Sequence, residues 1–159
     1  MASSRPPESR LSSPPSEPNP NDWLRALPPP GGGPDLGPLQ LAWLGDAVWE
    51  LHQRLSHCRT ASRPLTAHRA VVAAVRAEAQ AEVLQRLEPL LQSEEREWVR
   101  RGRNRAGRGP RRSDAAIYGQ ATGFETMLGW LFLRNPRRLA ELLDHLAKTD
   151  SPPPSPRTP

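Results

Sequence analysis

The chain has 159 residues, with 22 Lys+Arg against 17 Asp+Glu for a net charge of +5, 20 Pro and one cysteine, Cys58. A lone cysteine excludes an intrachain disulfide framework and a thiolate zinc site, and it suits a reducing compartment. No stretch approaches the roughly 20 apolar residues of a membrane span or the apolar run of a signal peptide, so a cytoplasmic protein with no membrane partner is expected.

Residues 1–35 hold ten of the 20 Pro together with clustered Ser and the run Gly31-Gly32-Gly33. Such a composition cannot bury enough apolar surface to offset its ordering entropy, and it predicts a disordered tail. Residues 150–159 predict a second, Pro-rich tail. The foldable unit is therefore 36–149, which carries 18 Lys+Arg against 12 Asp+Glu. The folded part is the basic part, which favours polyanionic partners.

Leu41, Leu44, Val48, Leu51 and Leu55 recur at helical spacing and predict a helix from about Pro38 to His57 with one buried stripe. Ser62-Arg63-Pro64 opens a second helical stretch in which Val71, Val72, Val75, Ala79, Val83, Leu84, Leu87 and Leu91 follow to Gln92, as one helix or as two with a bend. Ser93-Glu94-Glu95 starts a brief helix ending before Gly102. From Arg100 to Arg112 seven Arg are interleaved with Gly102, Gly107, Gly109 and Pro110, which predicts a basic loop. Ser113-Asp114 restarts a helix through Arg134, and Asn135-Pro136 caps a last one bearing Leu139, Leu142, Leu143 and Leu146. Neither a strand pattern nor a solenoid repeat is evident, so the fold class is all-α, with about six to seven helices.

Three features could carry chemistry. Asp46 and Glu50 lie one turn apart on the first helix, in a stripe with Leu39, Trp43 and Gln53, where a solvated helix face is the plainer reading. Glu125 has Ala121, Leu128 and Phe132 at i−4, i+3 and i+7, which puts an acid on an apolar stripe; it needs a cation, either an Arg or a metal ion. Mg2+ in phosphate chemistry is commonly held by one or two carboxylates with waters and substrate oxygens, so Asp46 with Glu125 suffices in principle. The Arg-rich segment is either a solvated insert or a phosphate-following surface. His52, His57, His68 and His145 form no metal-site spacing.

The string Leu41-Ala-Trp-Leu-Gly-Asp-Ala-Val-Trp-Glu50 resembles the signature helix of the ribonuclease III domain. Ala121-Thr-Gly-Phe-Glu-Thr-Met-Leu-Gly-Trp-Leu-Phe-Leu133 resembles that domain's other acidic helix. Arg101-Gly-Arg-Asn104, Ala77-x-x-Gln80-Ala81 and His68 are similar to the Mini-ribonuclease III branch, so the likeness spans nearly all of 36–149 in order. This resemblance implies a homodimeric ribonuclease III catalytic domain over 36–149 that hydrolyses both strands of double-stranded RNA, leaving 5′-phosphate and 3′-hydroxyl ends. It implies Mg2+ as cofactor, with Mn2+ as a substitute. By the same likeness Asp46 and Glu125 are the catalytic and metal positions, with Glu50 a candidate helper.

Two positions depart from the pattern of the full-length enzymes: Ala42 and Thr122 stand where those have acids, a reduction that the Mini branch shares. Gly119 stands where the branch tends to have Arg. Arg100, Arg101, Arg103, Asn104 and Arg105 would position the RNA, whose A-form duplex is recognised mainly by shape, phosphates and 2′-hydroxyls. No separate double-stranded-RNA-binding module is expected. The branch further implies maturation of precursor large-subunit ribosomal RNA, with assistance from ribosomal proteins. The alternatives are a catalytically inactive RNA-binding or ribosome-associated protein of the same fold, and a helical adaptor using the basic segment against acidic partners.

Overall fold

A computed structural model describes residues 19–28, 35–60, 63–109 and 114–150. Among them every regular element is helical: α1 (Asp22–Arg25), α2 (Pro38–Thr60), α3 (Pro64–Ala74), α4 (Ala77–Leu87) followed by a 3-10 turn (Glu88–Leu90), α5 (Ser93–Arg105), α6 (Ala115–Arg134) and α7 (Pro136–Asp150). The predicted all-α class and helix order hold, and the second stretch is indeed two helices with a break at Val75-Arg76.

Helix α6 is the axis of the fold, with α2, α4, α5 and α7 packed around it. Its start is fixed by Asp114, whose carboxylate accepts the Ala116 backbone N–H at 2.8 Å and satisfies one of the amides that a helix start leaves orphaned. Phe124, Met127, Leu128 and Leu131 fill the core beneath it. Asn135 ends α6 and caps α7, its Oδ1 accepting the Arg138 backbone N–H at 3.1 Å. Leu139, Leu142, Leu143 and Leu146 of α7 are all buried, as their spacing predicts.

The crossing of α2 on α6 is unusually close, and glycine makes it possible. A Cβ on Gly45 would lie 1.8 Å from the Glu125 backbone oxygen, and one on Gly129 would lie 2.0 Å from that of Leu41. No other residue fits at either position without forcing the helices apart.

That crossing also decides which face of α2 turns inward. Leu41, Ala42, Gly45, Val48, Trp49 and His52 are buried, a run that follows the 3.6-residue period from the glycine contact. The predicted stripe is thus corrected at its end: Leu51 is 44 % exposed and Leu55 37 %. With Leu39, Trp43 and Ala47 these two leucines form an exposed apolar ridge at four-residue steps, and Trp43 is 82 % exposed. Trp49 takes the inward place, and its indole N–H donates to the Ala74 carbonyl at 3.0 Å.

Two further expectations are corrected. The helix predicted to end before Gly102 runs on to Arg105, so Arg100, Arg101, Arg103, Asn104 and Arg105 are helical rather than in a loop. Gly102 does not break the helix because it is the contact with α6, where its absent side chain makes room for Thr126. The chain turns only beyond Arg105, where Gly107 and Gly109 both adopt φ of 68°; residues 110–112 of the predicted loop, and Ser113 of the predicted helix start, lie outside the described residues. Secondly, residues 19–28 of the predicted tail include a docked helix. Leu24 of α1 is fully buried, Trp23 meets Phe132 with ring centroids 6.3 Å apart, and Asp144 of α7 accepts hydrogen bonds from Asn21 and Arg25.

Candidate metal and RNA site

Asp46 and Glu125 reach one another because of the glycine crossing. Gly45 presses on the backbone of Glu125, so the residue that follows it on α2 is carried against the same turn of α6. Asp46 is exposed beside the apolar ridge, whereas Glu125 is half-buried in the groove between helices. Burial and the neighbouring Asp46 charge push the Glu125 carboxyl up to about 7, opposed by the Gln80 carboxamide, which favours the ionised form. Asp46 is also raised above the usual carboxylate range, by partial burial and by Glu50.

Among the described residues no Lys, Arg or His forms an ion pair with either carboxylate. Two carboxylates held together with no cation, one of them keeping its proton to near neutrality, are a donor set that a hard divalent ion fits. Among the described residues no group of three or more His, Cys, Asp or Glu is arranged to hold a metal ion. Ala42 and Thr122 are both buried nearby, and the Thr122 hydroxyl is spent on the Tyr118 carbonyl at 3.0 Å.

Glu50 is placed differently from Asp46. Arg54, one turn on, holds its Oε1 through Nη2 at 2.5 Å and Nε at 3.1 Å. The spacing that made Asp46 and Glu50 look equivalent does not survive folding: one acid is neutralised within its own helix, the other is turned to Glu125.

Helix α5 crosses α6 at Gly102 and Thr126, one residue beyond Glu125; Arg100, Arg101, Asn104 and Arg105 are exposed around it, and the stem of Arg103 packs over Gly123 of α6. Arg100 and Arg101 both bind Glu97, at 2.7 and 2.9 Å, holding its carboxyl down to about 2. Arg101 also lies 4.7 Å from the Trp98 ring centroid. Arg103, Asn104 and Arg105 are exposed on the last turn. The end of α5 thus presents two guanidinium groups pre-set by an acid and an indole, followed by three exposed polar residues of which Arg103 leans on α6.

Sequence reasoning named Gln80 only as part of a motif and gave it no role. It is 1 % exposed, on the α4 face that also buries Ala81, Leu84 and Leu87, and its Nε2 has no hydrogen-bond partner. The signal was available, since a Gln on an apolar stripe asks the same question as Glu125 does. His52 is a buried structural histidine, stacked on Trp49 at 5.5 Å and kept neutral, with burial pushing it down to about 4.

The family model described as Ribonuclease III domain matches residues 39–136, a span that holds both acids. A Mini-ribonuclease 3 of Synechococcus sp. is 53 % identical over 121 residues, covering 76 % of this chain and 88 % of the relative. One of Synechocystis sp. is 49 % identical over 118 residues, covering 74 % and 82 %. The X-ray crystal structure of a Fusobacterium nucleatum protein superposes with a TM-score of 0.66 at 26 % identity, covering 74 % of this chain and 96 % of that one.

Proposed function

Because the chain belongs to the ribonuclease III domain family, as an endoribonuclease of the Mini-ribonuclease 3 type, we propose that Asp46 and Glu125 form its catalytic metal site for cutting double-stranded RNA. The observation that carries this reading is the pair itself: two carboxylates brought together by the Gly45 crossing, one of them pushed up to about 7, with no counter-ion among the described residues. Mg2+, or Mn2+ in its place, would be held by these two acids and would supply an activated water and charge neutralisation at the scissile phosphate.

The rest is work for the chain's own side chains. Asp46, near the rim, and Glu125, deeper in the groove, fix where the scissile phosphate must lie. Arg103, Asn104 and Arg105 meet the phosphates of the duplex from the last turn of α5, and Arg100 and Arg101 extend the same face. No side chain there needs to reach a base, which suits an A-form duplex recognised by shape and backbone. Glu50, paired with Arg54, serves as an outer charge near Asp46 rather than as a ligand.

The active unit is a homodimer, one site for each strand. What supports this is the ridge of Leu39, Trp43, Ala47, Leu51 and Leu55 on α2, an exposed apolar stripe of the kind that marks a protein interface. The substrate we assign is precursor large-subunit ribosomal RNA, with ribosomal proteins assisting, a reading supported by the Mini-ribonuclease 3 relationship.

The test is incubation of the purified protein with long duplex RNA in Mg2+ or in chelator, repeated for Asp46→Asn and Glu125→Gln. Shortening by the wild type in Mg2+ alone, and by neither variant, is expected. Cutting in chelator, or by a folded variant at the wild-type rate, overturns the assignment.

A further inference from the structure

The break at Val75-Arg76 sets the rotation of α4. Arg76 is extended, with φ −71° and ψ 150°, and its carbonyl accepts the Gln80 backbone N–H at 3.0 Å, which fixes Gln80 in the first turn. From there its side chain points inward, toward α6. Around it α4 buries only Ala81, Leu84 and Leu87, so an apolar residue of the same length would fill the space without a desolvated amide.

A buried carboxamide that serves packing alone finds partners for its polar atoms. The Gln80 Nε2 finds none within hydrogen-bonding distance, although α4 packs its buried face against α6 and the carboxamide interacts there with Glu125. Its donor therefore faces the acid without being closed on it. A carboxylate that holds a cation through one oxygen still needs a donor to fix its orientation, and such donors in metal sites govern affinity.

We propose that Gln80 is a positioning residue for the metal site: its carboxamide N–H donates to the Glu125 carboxylate and holds it in the orientation that closes on a divalent cation shared with Asp46. This rests on the metal-site reading above. The amide is a donor held ready inside the fold, buried on α4 where that helix packs against α6. Gln80 touches neither RNA nor the reacting phosphate.

The experiment is Mn2+ binding, followed by electron paramagnetic resonance at pH 8 without RNA, for the wild type, Glu125→Gln and Gln80→Met, alongside each protein's metal-free thermal midpoint. Gln80→Met keeps the chain length and removes the donor. Wild-type binding, its loss in Glu125→Gln, and a weakening of about ten- to a hundredfold in Gln80→Met with an unchanged or raised midpoint are expected. Equal affinity in Gln80→Met overturns the inference and leaves the metal site standing, whereas absence of binding by the wild type overturns the metal site itself. A lowered midpoint with unchanged affinity makes Gln80 a packing residue. Should Gln80→Met not fold, the wild-type Gln80 side-chain amide resonance is followed by nitrogen-15 NMR during Mg2+ titration: a saturating shift supports the contact, and an unmoved resonance overturns it.

Discussion

Two glutamates are drawn into this fold, and they are treated in opposite ways. Glu95 is 1 % exposed, yet Arg138 binds it at 2.8 Å and the Gln92 backbone N–H donates to its other oxygen at 2.7 Å. Glu125 has another carboxylate for company and an amide that stops short of a hydrogen bond. The first acid joins α5 to α7 and is chemically finished. The second has no cation beside it among the described residues, and it is the one that lies at the helix crossing where Gly45 meets its backbone. Burial alone therefore does not mark a functional acid; burial without compensation does.

The contrast can be broken from the Glu95 side. Arg138→Met leaves Glu95 without its cation and is expected to cost about 3–5 kcal/mol, seen in the urea midpoint, while cleavage per folded molecule is retained. A loss of cleavage without a loss of stability would place Glu95 in the site. From the other side, Glu125→Gln and Asp46→Asn are expected to lower duplex-RNA cleavage by at least about a hundredfold, since the metal contributes several kcal/mol. Glu125→Gln should at the same time leave the metal-free thermal midpoint unchanged or higher, because it removes a like-charge contact.

The crossing itself can be strained. Gly45→Ala puts a Cβ where the Glu125 carbonyl stands and is expected to cost about 1–3 kcal/mol or more, with cleavage lost beyond what the remaining folded fraction explains. Gly107→Ala, where a Cβ meets nothing within 4 Å, tests only its positive φ and should leave cleavage intact.

The pH dependence separates the two acids more gently. The proton on Glu125 is held up to about 7, so a divalent ion must displace it below that pH, and apparent affinity should fall by about tenfold per pH unit there and level off above. For the metal-free protein the sign is the reverse. Stability contributed by the raised carboxyl is present below the usual glutamate range and is lost as pH rises through about 7. Calorimetric Mg2+ titrations and thermal midpoints across pH 5.5–8.5 follow both, and Glu125→Gln should abolish both trends. Smallest of all is the effect of the basic face: removing Arg103 and Arg105 should reduce the slope of log affinity against log salt by about 0.7–0.9 for each phosphate that is no longer neutralised.

Much of this was legible in the chain, for reasons that differ by element. Helices α6 and α7 announce themselves through Asp114, Asn135-Pro136 and the leucines that follow, because capping and periodicity agree locally. The inward face of α2 was not legible in full, since apolar residues line both sides of it and only the contact at Gly45 and Gly129 chooses between them. The end of α5 was misjudged because Gly102 looks like a helix breaker in isolation, while in the fold it is a close contact with Thr126. Helix α1 has too few residues for any periodicity, and its place is set by Asp144, more than a hundred residues away.

The candidate site divides along the same line. Glu125 stands out in the sequence as an acid on an apolar stripe, and Gln80 is its counterpart on α4. Asp46 and Glu50 share one stripe and are indistinguishable by spacing; only the partners, Arg54 for one and Glu125 for the other, set them apart.

The measurement that bears most directly on the central claim is the thermal midpoint of the wild type and of Glu125→Gln at pH 8, with and without millimolar Mg2+ and no RNA. A midpoint that Mg2+ raises in the wild type and leaves unmoved in Glu125→Gln is the predicted result, because an ion bound only by the folded state stabilises it. Equal responses in the two proteins, or none in the wild type, would contradict the account.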